Sequence, residues 1–153
     1  MKVVFDENFS PRGVEHLRSL SRSLLQAPLE ITYLPDLLRE LGHGDGRGTR
    51  DETWGPIVQR LERAVVVTFD HGHGRDGSLG KPLPIVLPQC GVTGFWLPAT
   101  LCQRPVLEKV LVAASLLPLI EKTAAAQPAG TRFRVTRETT ITLKPWPLKR
   151  SDR

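Results

Sequence analysis

Cysteine is scarce in this chain: Cys90 and Cys102 are its only two, and no regular spacing surrounds them. Two thiols cannot staple a disulfide framework, so a reducing cytoplasm is the expected setting. Long apolar runs are also missing. The longest, Val110 to Ile120, is interrupted by Ser115 and Pro118 and falls short of the roughly 20 residues a membrane-spanning helix needs. The start, Met1-Lys2-Val3-Val4-Phe5, meets Asp6 before a signal h-region could be complete, so no export signal is expected. No internal repeat is visible. These absences exclude a membrane protein, a disulfide-stapled secreted scaffold and a repeat array, and leave a soluble cytoplasmic domain.

What is present fits that class. A length of 153 residues is enough for one domain with its own core. Forty per cent apolar and 24% charged residues are ordinary for a globular fold. The formal charge of +5 favours an anionic partner, of which nucleic acid is the commonest. Arg132, Arg134, Arg137, Lys144, Lys149, Arg150 and Arg153 crowd the end of the chain against only Glu138 and Asp152. This division suggests a domain over residues 1–143 and a basic tail over 144–153, which reads equally well as a solubilising extension.

The apolar pattern alternates between strand and helix. Lys2 to Phe5 is a buried strand that stops abruptly at Asp6-Glu7-Asn8. Ser10 and Pro11 form an N-cap and first helical position, and Val14, Leu17, Leu20 and Leu24 continue as one helix face. Ile31 to Leu34 reads as a short strand, and Pro35 to Leu41 as a brief helix stopped at Gly42. After the glycine-rich segment 42–48, Thr49 or Asp51 can cap a helix with Trp54, Ile57, Val58 and Leu61 on its apolar face. Ala64 to Phe69 is the clearest strand and ends on Asp70, before a second glycine-rich loop, His71 to Gly77. The segment from Pro82 to Pro88 reads as irregular, with room for a short strand. Val92 to Leu97 is a strand, and Pro105 to Ala126 the longest helix, bent at Pro118. Thr131 to Val135 and Thr140 to Leu143 read as a hairpin around Arg137-Glu138-Thr139. The alternation predicts an α/β fold, a three-layer α/β/α sandwich with a mainly parallel central sheet and a C-terminal β-hairpin.

Three carboxylates occupy telling positions. Asp6 and Asp70 each follow the last apolar residue of a buried strand, and Asp51 opens the helix that leads into the Asp70 strand. In open α/β sheets, sites form outside the carboxyl ends of the strands where strand order switches. Parallel central strands bring these acids to one edge, with carboxyl groups on the order of 4–8 Å apart, within reach of one hard cation. Oxygen-only ligands select Mg²⁺ or Mn²⁺. Taken singly, each acid also reads as a cap or turn residue. His71 and His73 form an H-x-H pair that suits substrate phosphate or proton transfer better than a zinc site with Cys90 or Cys102. Trp54 and Trp96 read as core, and Trp146, between Pro145 and Pro147, as exposed and able to meet a partner or stack on a base.

The segments Phe5-Asp6-Glu7-Asn8-Phe9-Ser10-Pro11, Arg50-Asp51-Glu52-Thr53 with Ile57, and Val66-Val67-Thr68-Phe69-Asp70 together resemble PIN-like proteins of the Mut7-C and toxin type. The likeness spans roughly residues 1 to 97. It implies a PIN-like fold, divalent-metal cleavage of RNA and a role as the toxin of a toxin–antitoxin pair. Asp6, Asp51 and Asp70 match the family's metal-site acids. Many relatives continue with D-x-D-F, whereas this chain has Asp70-His71-Gly72-His73-Gly74, with Asp76 as a candidate second carboxylate. An early-helix glutamate of the family has Glu7 and Glu40 as candidate substitutes, and Glu7, Glu52 and Asp76 are further candidate metal ligands.

The expected reaction is RNA phosphodiester hydrolysis, with a metal-activated water as nucleophile. Asn8, Arg12, Arg47, Arg50, His71, His73 and Arg75 are the candidate substrate contacts on the loops of the same edge. The expected partners are RNA and an antitoxin protein docking near the basic rim, on the apolar segment Leu107 to Leu119 or on Trp146, with a homodimer also open. Two rivals stand beside this reading. A response-regulator receiver also places acids after its first and third strands, but needs a lysine after its fifth; none follows Leu97 until Lys109, inside a helix. A PIN-like module could also bind RNA or an antitoxin without cleaving.

Overall fold

In the computed structural model, residues 1–25, 29–46, 48–71, 82–137 and 141–147 are described. Six strands form one sheet in the order β2-β1-β3-β4-β5-β6. They are β1 (Lys2–Phe5), β2 (Glu30–Tyr33), β3 (Ala64–Thr68), β4 (Thr93–Trp96), β5 (Arg132–Arg137) and β6 (Ile141–Pro145). All neighbouring pairs are parallel except β5 with β6, which run antiparallel. The residues connecting those two, 138–140, lie outside the described set. Because the chain places β2 on one side of β1 and β3 on the other, the sheet reverses its direction of growth between β1 and β3. That gap is where an open α/β sheet forms its crevice.

Helices cover both faces. The long α5 (Val106–Ala126) and α1 (Pro11–Leu24) bury Val14, Leu17, Val110, Leu116, Leu117 and Ile120 against Val3, Phe5, Val65, Val67 and Phe95. On the other face α2 (Leu34–Glu40), α3 (Asp51–Gln59) and α4 (Leu83–Gln89) set Leu38, Trp54, Val58, Leu83 and Leu87 against Val4, Val66 and Trp96. Alternate strand residues thus go to opposite layers, and continuous apolar runs are the sequence consequence of a sheet buried on both sides. Among the described residues no helix is long and apolar enough to cross a membrane.

Local signals explain most boundaries. The Ser10 side chain accepts from the Gly13 N–H at 3.0 Å, with Pro11 at the first helical position. Neither Thr49 nor Asp51 caps α3: Arg50 is the N-cap, with no side-chain capping bond, and Asp51 is the first helical residue. α5 continues on both sides of Pro118. Most of its expected docking segment faces the core; Leu107 and Leu111 are exposed.

The segment 82–88, expected to be irregular, is instead largely α4. Pro84 sits in the first turn, where no N–H is needed. Pro88 cannot donate to the Pro84 carbonyl four residues back, and that oxygen accepts from Arg132 Nη1 at 2.8 Å. A buried arginine on β5 thereby replaces the missing helix bond, which no local pattern reveals. β6 runs to Pro145, past the 143/144 boundary read from charge, so Lys144 and Pro145 belong to the sheet.

Candidate functional site

The register places one residue of each strand from β3 to β6 in a single row near the carboxyl edge. Thr68 pairs with Trp96, Trp96 with Arg134, and Arg134 with Lys144. Asp6 follows Phe5, whose partner on β3 is Val67, so Asp6 stands level with Thr68. The backbone extends the ladder there, the Asp6 N–H donating to the Val67 carbonyl at 3.3 Å. Asp6, Thr68, Trp96, Arg134 and Lys144 therefore share one face, the face that carries α2, α3 and α4 over its central strands.

At the acidic end, Asp6 is 3% exposed. The Thr68 hydroxyl donates to Asp6 Oδ2, while Asn8 donates its backbone N–H to Oδ1 (3.2 Å) and its Nδ2 to Oδ2 (2.9 Å). Thr68 Oγ1 in turn accepts from the Asp70 N–H at 2.8 Å, so one hydroxyl ties the two acidic strand ends together. Burial drives the Asp6 carboxyl from 3.8 up to about 7; its hydrogen bonds to Thr68 and Asn8 pull the other way, and the charge of Asp70 adds to the rise. Near neutral pH Asp6 is thus poised between its charged and neutral forms.

The structure brings Asp6 and Asp70 together and leaves Asp51 differently engaged. Asp51, also buried, accepts from the Trp54 indole Nε1 at 3.2 Å. Its helix is held to the carboxyl edge by Glu7, whose Oε2 accepts from the Gly48 N–H at 2.9 Å. Among the described residues no three His, Cys, Asp or Glu side chains stand together as a group able to hold a metal ion. Glu7 anchors the loop before α3, and Asn8 orients Asp6 rather than standing apart from it. Glu52, Arg12 and Arg50 are exposed at the first residues of α3, of α1 and at the cap of α3 respectively. His71 Nε2 lies 2.6 Å from the Leu97 carbonyl oxygen, so that nitrogen carries the proton. Arg47, His73, Arg75, Asp76, Lys149, Arg150 and Arg153 lie outside the described residues.

At the other end of the row the chemistry inverts. The Trp146 ring meets Trp96 edge-on (centroids 5.5 Å apart) and His71 at 5.9 Å. The guanidinium carbons of Arg132 and Arg134 lie over the Trp146 ring, 4.7 and 4.5 Å from its centroid. Arg132 is buried, its Nε donating to the Trp146 carbonyl at 2.9 Å. Arg134 and Lys144 are exposed and Trp146 is half-buried. Trp96, expected as core, is fully buried, yet its Nε1 also donates to the Asp70 carbonyl at 2.8 Å. It connects the two ends.

Sequence reading missed Thr68 and Arg134. The signal for Thr68 was the T-x-D spacing, which puts a hydroxyl two residues before the acid. Arg134 carried no local signal beyond its charge. In comparison with known proteins, no family model, curated protein or solved structure matches this chain.

Proposed function

We propose that this chain is a metal-dependent endoribonuclease of the PIN-like class, acting in the cytoplasm as the toxin of a toxin–antitoxin pair. The observation that carries the reading is the meeting of Asp6 and Asp70 at the carboxyl ends of β1 and β3, where the strand order reverses. Leaving a carboxyl desolvated beside a second acid is costly, and functional sites are where such costs concentrate.

The donor set fits a hard divalent cation. It offers only oxygen, and the charge of Asp70 opposes the ionisation of Asp6, which a bound cation offsets. Asp6 and Asp70 would be the primary ligands; Asp51, which does not stand grouped with them and accepts from Trp54, would have to give up that bond to join, and Glu7, Glu52 and Asp76 are further candidates. Mg²⁺ or Mn²⁺ bound there supplies a water acidified toward hydroxide and a counter-charge for the phosphate. Thr68 and Asn8 hold the Asp6 carboxyl in place, Trp96 fixes the Asp70 backbone, and Arg12 and Arg50 stand at the rim to position RNA phosphates.

A second reading, a PIN-like module that binds RNA or an antitoxin without cleaving, draws support from the Asp51–Trp54 bond, which occupies a ligand oxygen. A labelled single-stranded RNA incubated with the protein separates the two. The nuclease reading expects cleavage in Mg²⁺ or Mn²⁺ and none in EDTA; intact RNA in both metals overturns it. Growth with and without the neighbouring gene tests the toxin role, which fails if the chain alone is harmless and co-purifies with nothing.

A further inference from the structure

We propose that Arg134, stacked over Trp146 and flanked by Lys144, forms a base-stacking subsite that guides single-stranded RNA toward the acidic end of the same row. The inference rests on the ribonuclease reading for its direction, but on separate residues for its substance.

Row geometry is the first support. Neighbouring strands are about 4.8 Å apart, so three strand steps from β1 to β5 separate Asp6 from Arg134 by roughly 14 Å. That distance suits a few nucleotides running along the carboxyl edge of the sheet, since Thr68 and Trp96, the members between the two ends, are buried. The two exposed members at its far end are both cations, while Asp6 at its near end is an acid, buried like Thr68 and Trp96. A polyanion is drawn to the cations; the acidic end would attract it only with a cation bound, as the ribonuclease reading supposes.

Construction of the far end is the second support. Arg132 does not serve solvent: its Nη1 is committed to the Pro84 carbonyl and its Nε to the Trp146 carbonyl. The Trp146 N–H donates back to the Arg132 carbonyl at 2.8 Å. This reciprocal pairing fixes the Trp146 backbone, and contact with Trp96 fixes the edge of its ring. Arg134 then lies over a ring that is already immobilised. A surface arginine ordinarily samples many rotamers; an indole beneath it holds its planar group in one place. Bases stack on guanidinium planes and on aromatic rings without demanding a particular sequence. Lys144, directly across the strand pair from Arg134, supplies the adjacent phosphate contact.

RNA is favoured over an acidic protein partner because planar stacking surfaces are combined with cations, where simple charge pairing would need the cations alone. The substitution Arg134→Lys distinguishes these, keeping the charge while removing the plane. Affinities of wild type, Arg134→Lys and Arg134→Ala are measured in EDTA, where no metal-dependent cleavage intervenes. The probes are a fluorescent single-stranded oligoribonucleotide and an abasic ribose-phosphate chain of equal length. Arg134→Lys is expected to weaken RNA binding on the order of tenfold while leaving the abasic chain unchanged. Arg134→Ala is expected to weaken both and to lower the salt slope by about one. Equal RNA affinity for wild type and Arg134→Lys overturns the subsite, even if the protein cleaves RNA in Mn²⁺. Base-dependent binding through Arg134 without cleavage in Mn²⁺ upholds the subsite and overturns the nuclease. Failure of the wild type to bind either chain overturns the subsite as well.

Discussion

The two ends of the Asp6–Lys144 row are built on opposite principles. The acidic end is sealed: Asp6 is buried, its carboxyl satisfied by Thr68 and Asn8, and its charge opposed by Asp70. The basic end is open, with Arg134 and Lys144 exposed and Arg134 held over the Trp146 ring rather than by burial. A buried acid is energetically loaded and chemically selective, because a cation or a proton must come to relieve it. An exposed arginine over an indole costs little and binds broadly. On the proposed reading, chemistry belongs at the first and capture at the second.

The largest effect that can break this division is on catalysis. Asp70→Asn is expected to lower metal-dependent RNA cleavage more than about a hundredfold, since it removes a ligand charge. Binding of the same RNA in EDTA should be nearly unchanged, because capture lies at the far end of the row. Gel-based cleavage and anisotropy on the same preparations check both halves. Cleavage at the wild-type rate would remove the acidic end from the chemistry.

The next effect is on stability. A carboxyl raised from 3.8 to about 7 by folding favours the fold at low pH and loses that contribution as pH rises from about 4 through about 7. Fully developed, the displacement corresponds to about 4 kcal/mol. Urea unfolding in EDTA is therefore expected to show wild-type stability falling between pH 5 and pH 8, a slope that Asp6→Asn largely abolishes. Parallel pH profiles would mean that Asp6 is not desolvated in solution.

A smaller effect sharpens the link between the ends. The Trp96 ring folds back over Gly94, and a methyl group there would overlap its Cζ3 and Cη2 atoms. Gly94→Ala is expected to cost about 1–3 kcal/mol and to displace the indole that holds the Asp70 carbonyl and abuts Trp146. Both cleavage and RNA affinity should fall together. Loss of one without the other would show that Trp96 does not couple them.

The acidic end was far more legible in sequence than the basic end. Val3-Val4-Phe5 and Val65-Val66-Val67 announce strands buried on both faces, and an acid directly after each marks an edge. The α/β alternation followed from the same runs. Less legible was anything that depends on strand order. Arg134 reads as one charge in a basic stretch until β5 is known to neighbour β4 in register with Trp96. Lys144 and Trp146 read as the start of a tail because no local pattern tells an edge strand from an extension. The α4 segment misled for a related reason: its prolines disfavour a helix locally, and the compensating donor, Arg132, arrives from 48 residues away. Asp51 was placed correctly at a helix start, but its bond to Trp54, three residues on, depends on side-chain geometry.

The most direct test is a calorimetric Mn²⁺ titration of wild type and Asp70→Asn at pH 8 and pH 6. Because Asp6 must give up a proton to bind a cation, wild-type affinity is expected to be higher at pH 8 than at pH 6. Asp70→Asn is expected to bind at least about tenfold more weakly at pH 8. Wild-type protein that takes up no Mn²⁺, or an Asp70→Asn variant that binds it equally well, would contradict a cation site between Asp6 and Asp70.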